Sequence, residues 1–202
     1  MLTKFILSFM AFFAMMNPLS NLPAYMALVA GDDKLISKKI ARKSLLIAFT
    51  IVVVVTLSGH FIFTLFGITI DALRIAGGIL VGLTGYHMIN GVHSPAAKHI
   101  EPTSISDPLD VAISPLAMPL FAGPGTIATA IILSHGSWEH QLITILSFLL
   151  LCLLTYLLLL SADRIATFLG KNMMGIITRL MGLILTTIGV QMFVLGIQGA
   201  FK

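Results

Sequence analysis

Six stretches of the chain are apolar over long, scarcely interrupted lengths: residues 2–29, 44–66, 73–90, 111–134, 141–160 and 176–197. Polar and charged residues collect in the short intervals between them. A helix rises about 1.5 Å per residue and needs roughly 20 residues to cross a hydrocarbon core of about 30 Å, so each stretch has the length of a span. A membrane barrel would need strands of about ten residues with alternating polarity, and residues 51–56 and 146–160 do not alternate. The pattern predicts an all-α membrane protein with six transmembrane helices.

Composition strengthens that reading. Charged residues make up 10% of the 202 residues and hydrophobic ones 57%, with a mean hydropathy of +1.03. A soluble domain carries about 25% charged residues, and this chain could not cover a water-facing surface without large apolar patches. The net charge of +4 does not point to nucleic acid, because the cations form no continuous basic face. Cys152 stands alone in the sequence, which allows no intrachain disulfide and no cysteine metal cluster. Lys4 and the apolar residues after it resemble the start of a secretory signal, but no clear small-residue cleavage site follows, so this segment is expected to stay as the first span.

The cations orient the chain, since short cytoplasmic loops retain more Lys and Arg. Lys34, Lys38, Lys39, Arg42 and Lys43 fall in the first interval, Lys98 in the third, and Arg164, Lys171 and Arg179 in the fifth; Lys4, Arg74 and Lys202 fall on the other side. Intervals one, three and five are expected in the cytoplasm, with both termini periplasmic. Trp138, in an interval without Lys or Arg, is expected to anchor at the interface.

The chain also resembles itself. Arg74-Ile75-Ala76-Gly77-Gly78-Ile79-Leu80 aligns with Arg179-Leu180-Met181-Gly182-Leu183-Ile184-Leu185, and at the same offset of 105 Gly91-Val92 falls on Gly196-Ile197. Phe66-Gly67 corresponds to Leu169-Gly170, and Pro18 falls on Pro124 at nearly that offset. The chain therefore divides into two three-helix repeats, residues 1–95 and 96–202, within one membrane domain. Three spans is an odd number, so the second copy enters from the opposite side, an inverted-topology repeat.

The first and fourth spans are each broken near mid-membrane. One holds Asn17-Pro18-Leu19-Ser20-Asn21-Leu22-Pro23, the other Ala122-Gly123-Pro124-Gly125-Thr126 after Pro115 and Pro119. Proline removes a backbone donor and glycine weakens a helix, so each span should divide into two half-helices. Irregular backbone at that depth must line a cavity or be packed in protein. Asn21 and Thr126 are expected to cap the half-helix that follows, with Pro23 in its first turn. The half-helix starts would attract an anion, and the carbonyls before them, with the amide oxygens of Asn17 and Asn21, would hold an ammonium or small cation. A zwitterion suits both ends. The candidate binding residues are Asn17, Pro18, Ser20, Asn21, Gly123, Pro124, Gly125 and Thr126. Gly77, Gly78, Gly82, Gly182 and Gly189 are read as helix-packing positions.

Other chemistry is less well served. Ser58 and His60 suggest a hydrolase, but residues two apart on a helix point about 200° apart and cannot form a dyad. His87 on the third span is read as a buried, hydrogen-bonded histidine. His93 and His99 lie on one side and His135 and His140 on the other, without a carboxylate at ligand spacing, so no metal site and no cofactor is expected. No Asp or Glu falls in the middle of a span, which leaves no carboxylate relay; Asp71 and Arg74 are read as an interfacial ion pair. Asp110 and Asp163 fall at span ends.

With these motifs, and with Phe66-Gly67-Ile68 and Pro115-Leu116-Ala117-Met118-Pro119-Leu120, the chain resembles the MarC family of six-span bacterial inner-membrane proteins over nearly its whole length, in particular the small neutral amino acid transporter (SnatA-type) branch. Ser20 stands where that family usually has glycine. The resemblance implies a secondary transporter of small neutral amino acids such as glycine and alanine, working by alternating access, with a proton or sodium as coupling ion, the bilayer as surroundings and self-association as an open option. The alternatives are a channel or exporter for small ions or other small solutes and, behind these, an intramembrane hydrolase.

Overall fold

The protein is described by a computed structural model covering residues 1–91 and 112–201. Its elements are all helical: α1 Leu2–Met16, α2 Pro18–Leu28, α3 Lys34–Phe66, α4 Ile70–Ile89, α5 Ile113–Phe121, α6 Pro124–Ser134, α7 Trp138–Leu160 and α8 Ala162–Ala200. Among the described residues, five stretches are long and apolar enough to cross a membrane as helices, in Leu2–Leu28, Lys34–Gly59, Ile70–Ile89, Trp138–Leu160 and Asn172–Ala200. The remaining expected crossing is divided between α5 and the short apolar α6. Val92, His93, Lys98, His99, Asp110 and Val111, and with them the division at 95/96, lie outside the described residues, as do the side chains of His60, Pro115, Pro119 and Lys171.

Local signals set the helix starts. Thr69 Oγ1 accepts from the amide of Ala72 at 3.1 Å, with Asp71 in the first turn of α4. Ser137 Oγ accepts from the amide of His140 at 3.4 Å, with Glu139 in the first turn of α7. Both arrangements satisfy amides that a helix start leaves open and place negative charge at its positive end.

Two expected loops are largely helix. Lys34, Lys38, Lys39, Arg42 and Lys43 stand on the opening turns of α3, not in a loop, and the connection before it is only residues 29–33. Arg164 lies in the opening turns of α8, which runs to Leu169, breaks at Gly170 (φ 67°, ψ 167°) and resumes through Arg179. Apolar length alone missed these extensions, because a helix continues past the hydrocarbon wherever its residues tolerate helical backbone.

Packing fixes the directions. Helices α1 and α7 run parallel: Lys4 pairs with Glu139 at 3.6 Å, Ser147 donates to the Phe5 carbonyl at 3.3 Å, and the rings of Phe12 and Phe148 meet edge-on at 5.0 Å. Deeper in, Thr155 Oγ1 lies 3.4 Å from Met16 Sδ. Phe12, Met16 and Phe148 belong to a core with Leu22, Ala41, Val52, Leu116 and Phe121.

Helices α4 and α8 run antiparallel. A Cβ on Gly78 would lie 2.6 Å from the Gly189 carbonyl, and one on Gly85 2.5 Å from the Gly182 carbonyl, while Gly196 approaches Asp71. Gly78, Gly182 and Gly189 are therefore packing positions, and Gly82 offers its own backbone to Gly189. Gly77 is a packing position as well, against Ala128 of α6 and Met192 of α8. Asp71 and Arg74 form the expected ion pair at 2.9 Å.

The molecule thus has two ends. One carries Lys4, the connection from Ser134 to Trp138, and the start of α4 beside the end of α8. The other carries residues 29–33 and the α7–α8 connection, where Tyr25 donates to the Ser37 carbonyl at 2.9 Å.

Candidate functional site

The first break falls at Asn17, which adopts left-handed backbone (φ 43°, ψ 65°), the one non-glycine residue with positive φ among the described residues. The residue before a proline is disfavoured in the right-handed helical region, and Asn is among the few side chains that tolerate the left-handed one. Asn17 closes α1 through its amide to the Phe13 carbonyl at 2.9 Å and opens α2, with Pro18 in the first turn. Pro23 lies inside α2 and not at its start, contrary to the sequence reading.

The second break is broader. Ser114 (φ −132°, ψ 127°) and Met118 (φ −135°, ψ 123°) are extended, and each immediately precedes a proline, the same steric restriction acting twice. The segment ends in a wide turn, with the Ala122 amide donating to the Ala117 carbonyl at 2.9 Å. Gly123 is extended, and Pro124 begins α6.

Asn21 and Thr126 do not cap the helices that follow. Asn21 Nδ2 donates backwards to the Met16 carbonyl at 2.7 Å and to the Leu120 carbonyl at 3.4 Å, and Thr126 Oγ1 donates to the Phe121 carbonyl at 3.2 Å. Helical side chains point toward the N-terminus, so polar residues one turn into α2 and α6 lie over the carbonyls that ended the preceding segments. Each bond spans five residues, and the two sites are 105 residues apart.

This reversal alters the electrostatics. The break carbonyls are partly neutralised, while the amides of Leu19 and Ser20 in α2, and of Gly125 and Thr126 in α6, precede any intrahelical acceptor. No side chain caps either start among the described residues. Two positive helix ends therefore remain available to a ligand.

They converge on a cavity of about 150 Å³. Asn17, Ser20 and Asn21 line it from one break, and Gly123, Pro124, Gly125 and Thr126 from the other. Pro18 is buried in the break and does not line it. Asn17 is 4% exposed, and its Oδ1, like Ser20 Oγ, has no hydrogen-bond partner among the described residues. Buried polar atoms are satisfied in about nine cases of ten, so these two orphans facing a cavity are unusual. Asn17 Nδ2 lies 4.0 Å from Met88 Sδ.

Sequence reasoning missed the rest of the wall. Val81, Thr84, His87 and Met88 come from α4, Thr178 and Leu185 from α8, and Met15 from α1. Polar residues at 84, 87 and 178 within apolar spans were the available signal. His87 was expected to be hydrogen-bonded; it is half-buried, its ring has no hydrogen bond among the described residues, and it lies tilted at 57° to the Tyr86 ring with centroids 6.1 Å apart. A Cβ on Gly125 would lie 2.7 Å from Val81 Cγ2 and 3.3 Å from Met15 Sδ, so glycine there lets α4 and α6 close one wall.

Met88 and Thr178 also line a second cavity of about 580 Å³, with Pro23, Gly170, Met174 and Arg179, toward the end that carries residues 29–33. Ser58 takes no part in either cavity and donates to the Val54 carbonyl at 2.6 Å. His140 meets Lys4 Nζ at 3.1 Å at the molecule's opposite end.

Similarity to known proteins agrees with this architecture. A UPF0056 membrane protein of Bacillus subtilis, YvbG, is 38% identical over 197 residues, covering 96% of this chain and 93% of its own length. UPF0056 membrane proteins of Methanocaldococcus jannaschii and Pyrococcus horikoshii are 37% and 36% identical, each covering 98% of this chain and 98% and 96% of their own lengths. No solved structure matches the chain significantly. The family profile described as MarC family integral membrane protein matches residues 2–201. The chain is a multi-pass membrane protein that belongs to the MarC family.

Proposed function

We propose that the protein is a secondary transporter of small neutral amino acids, of the size of glycine and alanine, in the bacterial inner membrane. The observation that carries this reading is the pairing of two uncapped helix starts with the orphaned Asn17 Oδ1 on one small cavity. The substrate carboxylate faces the amides of residues 19–20 and 125–126. Its ammonium faces Asn17 Oδ1 and Ser20 Oγ, acceptors that need no fixed negative charge. The cavity's walls of Val81, Met15 and Leu185 limit the substrate side chain to a small one.

Alternating access rests on the two halves acting as inverted repeats. Their third helices, matched at an offset of 105, run antiparallel, and the two breaks carry equivalent backward hydrogen bonds at the same offset. By the cation bias, the end with residues 29–33 is cytoplasmic and both termini are periplasmic. A hydrolase finds less support, since Ser58 lies outside the cavity.

Competition in proteoliposomes tests the reading. Alanine and glycine should inhibit labelled alanine uptake, and alaninamide, which lacks the carboxylate, should bind about ten- to a hundredfold more weakly. Equal inhibition by alanine and alaninamide would overturn the helix-start site, and no amino acid uptake at all would favour a channel for another small solute.

A further inference from the structure

The second cavity, of about 580 Å³, adjoins the binding cavity at Met88 and Thr178, which line both. On its far side Met26 lines it and also the pocket among Tyr25, Gly31 and Arg164, at the end that carries residues 29–33. The three spaces form a chain from the helix starts to that end. A methionine side chain is unbranched and adapts its shape readily, so the partitions at Met88 and Met26 can yield to a small solute.

The wall of the second cavity is mostly apolar, with Pro23, Met26 and Met174, and Arg179 is its one charged residue among the described residues. Arg179 is exposed and forms no ion pair among the described residues. Its counterpart in the internal repeat is placed differently. At the offset of 105 it corresponds to Arg74, which is held by Asp71 at 2.9 Å. The same offset puts Ile176 where that carboxylate would be. Asp71 also packs against Gly196 and Gly199 and closes its end of the α4–α8 seam. At the other end Gly91, the counterpart of Gly196, lines the cavity together with Arg179. One end of the seam is thus sealed with its arginine neutralised, and the other holds a cavity with its arginine available.

Resting on the transporter reading, we propose that Arg179 is a second carboxylate site, which takes the substrate's carboxylate on its passage between the helix starts and the end with residues 29–33. A guanidinium presents paired N–H donors that match a carboxylate, and an apolar wall makes that attraction stronger than in water. No Asp or Glu lines this cavity among the described residues, and the Thr178 hydroxyl already donates to the Met174 carbonyl at 2.9 Å. Arg179 therefore reads a carboxylate alone, whereas the first cavity also offers Asn17 Oδ1 and Ser20 Oγ to an ammonium.

Phenylglyoxal, which modifies accessible guanidinium groups, tests the site in nanodiscs of phosphatidylcholine, with labelling of Arg179 followed by mass spectrometry. Alanine and propionate should each slow that labelling about threefold or more, and alaninamide should leave it unchanged. Arg74, held by Asp71, serves as the internal control and should respond to none of them. Propionate should protect equally in Asn17→Gly, which lacks the orphaned Oδ1 of the first cavity. In proteoliposomes at low alanine concentration, Arg179→Gln should slow transport severalfold in both directions, since a stopping point on the route favours neither, and Arg179→Lys should recover part of the rate. Equal labelling with and without carboxylates in a protein that transports alanine would overturn the site while leaving the amino acid reading intact. Protection that appears only when phosphatidylglycerol is added would assign Arg179 to a lipid headgroup and overturn it too. Loss of propionate protection in Asn17→Gly, or wild-type transport by Arg179→Gln, would take Arg179 off the route. Protection by carboxylates in a protein that moves no small amino acid would support the carboxylate site and overturn the transporter reading.

Discussion

The side-chain amide of Asn21 lies 2.7 Å from the carbonyl oxygen of Met16 and holds together the two halves of a broken helix. Met16 is fully buried, so without that donor its carbonyl would lose its partner away from water. Asn21→Ala should lower stability by about 1–3 kcal/mol, and Thr126→Val, which removes a longer bond of 3.2 Å, by about 1 kcal/mol. Thermal unfolding in detergent measures both. A loss of only a few tenths for Asn21→Ala would show that the break is held by packing alone.

Asn17 separates backbone from side-chain roles. Asn17→Gly keeps the left-handed conformation at no steric cost, whereas Asn17→Ala should add about 1–2 kcal/mol of strain. Both remove the orphaned Oδ1. Both variants should therefore bind alanine poorly, while only Asn17→Ala unfolds earlier. Wild-type binding by Asn17→Gly would remove the side chain from the site.

At Gly125 the constraint is steric. Gly125→Ala places a methyl 2.7 Å from Val81 Cγ2, so it should push α4 from α6 and depress alanine uptake severalfold. Val81→Ala removes that obstacle, and the double variant should recover part of the loss. A double variant no better than Gly125→Ala would place the fault elsewhere, in the backbone of the break itself.

Along the α4–α8 seam two glycines make a controlled pair. Gly78→Ala meets the backbone of Gly189 and Phe193 at 2.6 and 2.7 Å, where nothing flexible can yield, while nothing lies within 4 Å of a Cβ on Gly82. The first substitution should cost about 3 kcal/mol or more. The second should be neutral or stabilising by up to about 1 kcal/mol, through helix propensity. Equal unfolding temperatures for the two variants would contradict the close approach of these helices.

The spans were legible because apolar length is a property of contiguous residues, and the breaks because proline acts on its immediate neighbour. What Asn21 does was not legible. Its role depended on the break falling at Asn17, which puts residue 21 one turn inside α2 with its side chain directed backwards. Val81, Thr84 and His87 were hidden for another reason: in a helix rich in glycine, sequence does not say which face meets α8 and which meets a cavity. Lys34 and Ala162, where α3 and α8 begin, were missed because helix and hydrocarbon need not end together.

The extended residues Ser114 and Met118 bear on how the protein is made. A segment that twice leaves helical geometry cannot satisfy its own backbone in hydrocarbon, so the stretch from Ile113 to Phe121 is a poor substrate for release into lipid as a solitary helix. Its partners lie on both sides in sequence: Leu116 and Phe121 join a core with Val52 from α3, made earlier, and Leu151 from α7, made later. During synthesis this crossing would be retained beside the insertion machinery until α7 emerges. The order of assembly is then set by the prolines that shape the cavity, and substitutions that straighten α5 should speed membrane integration while spoiling the site.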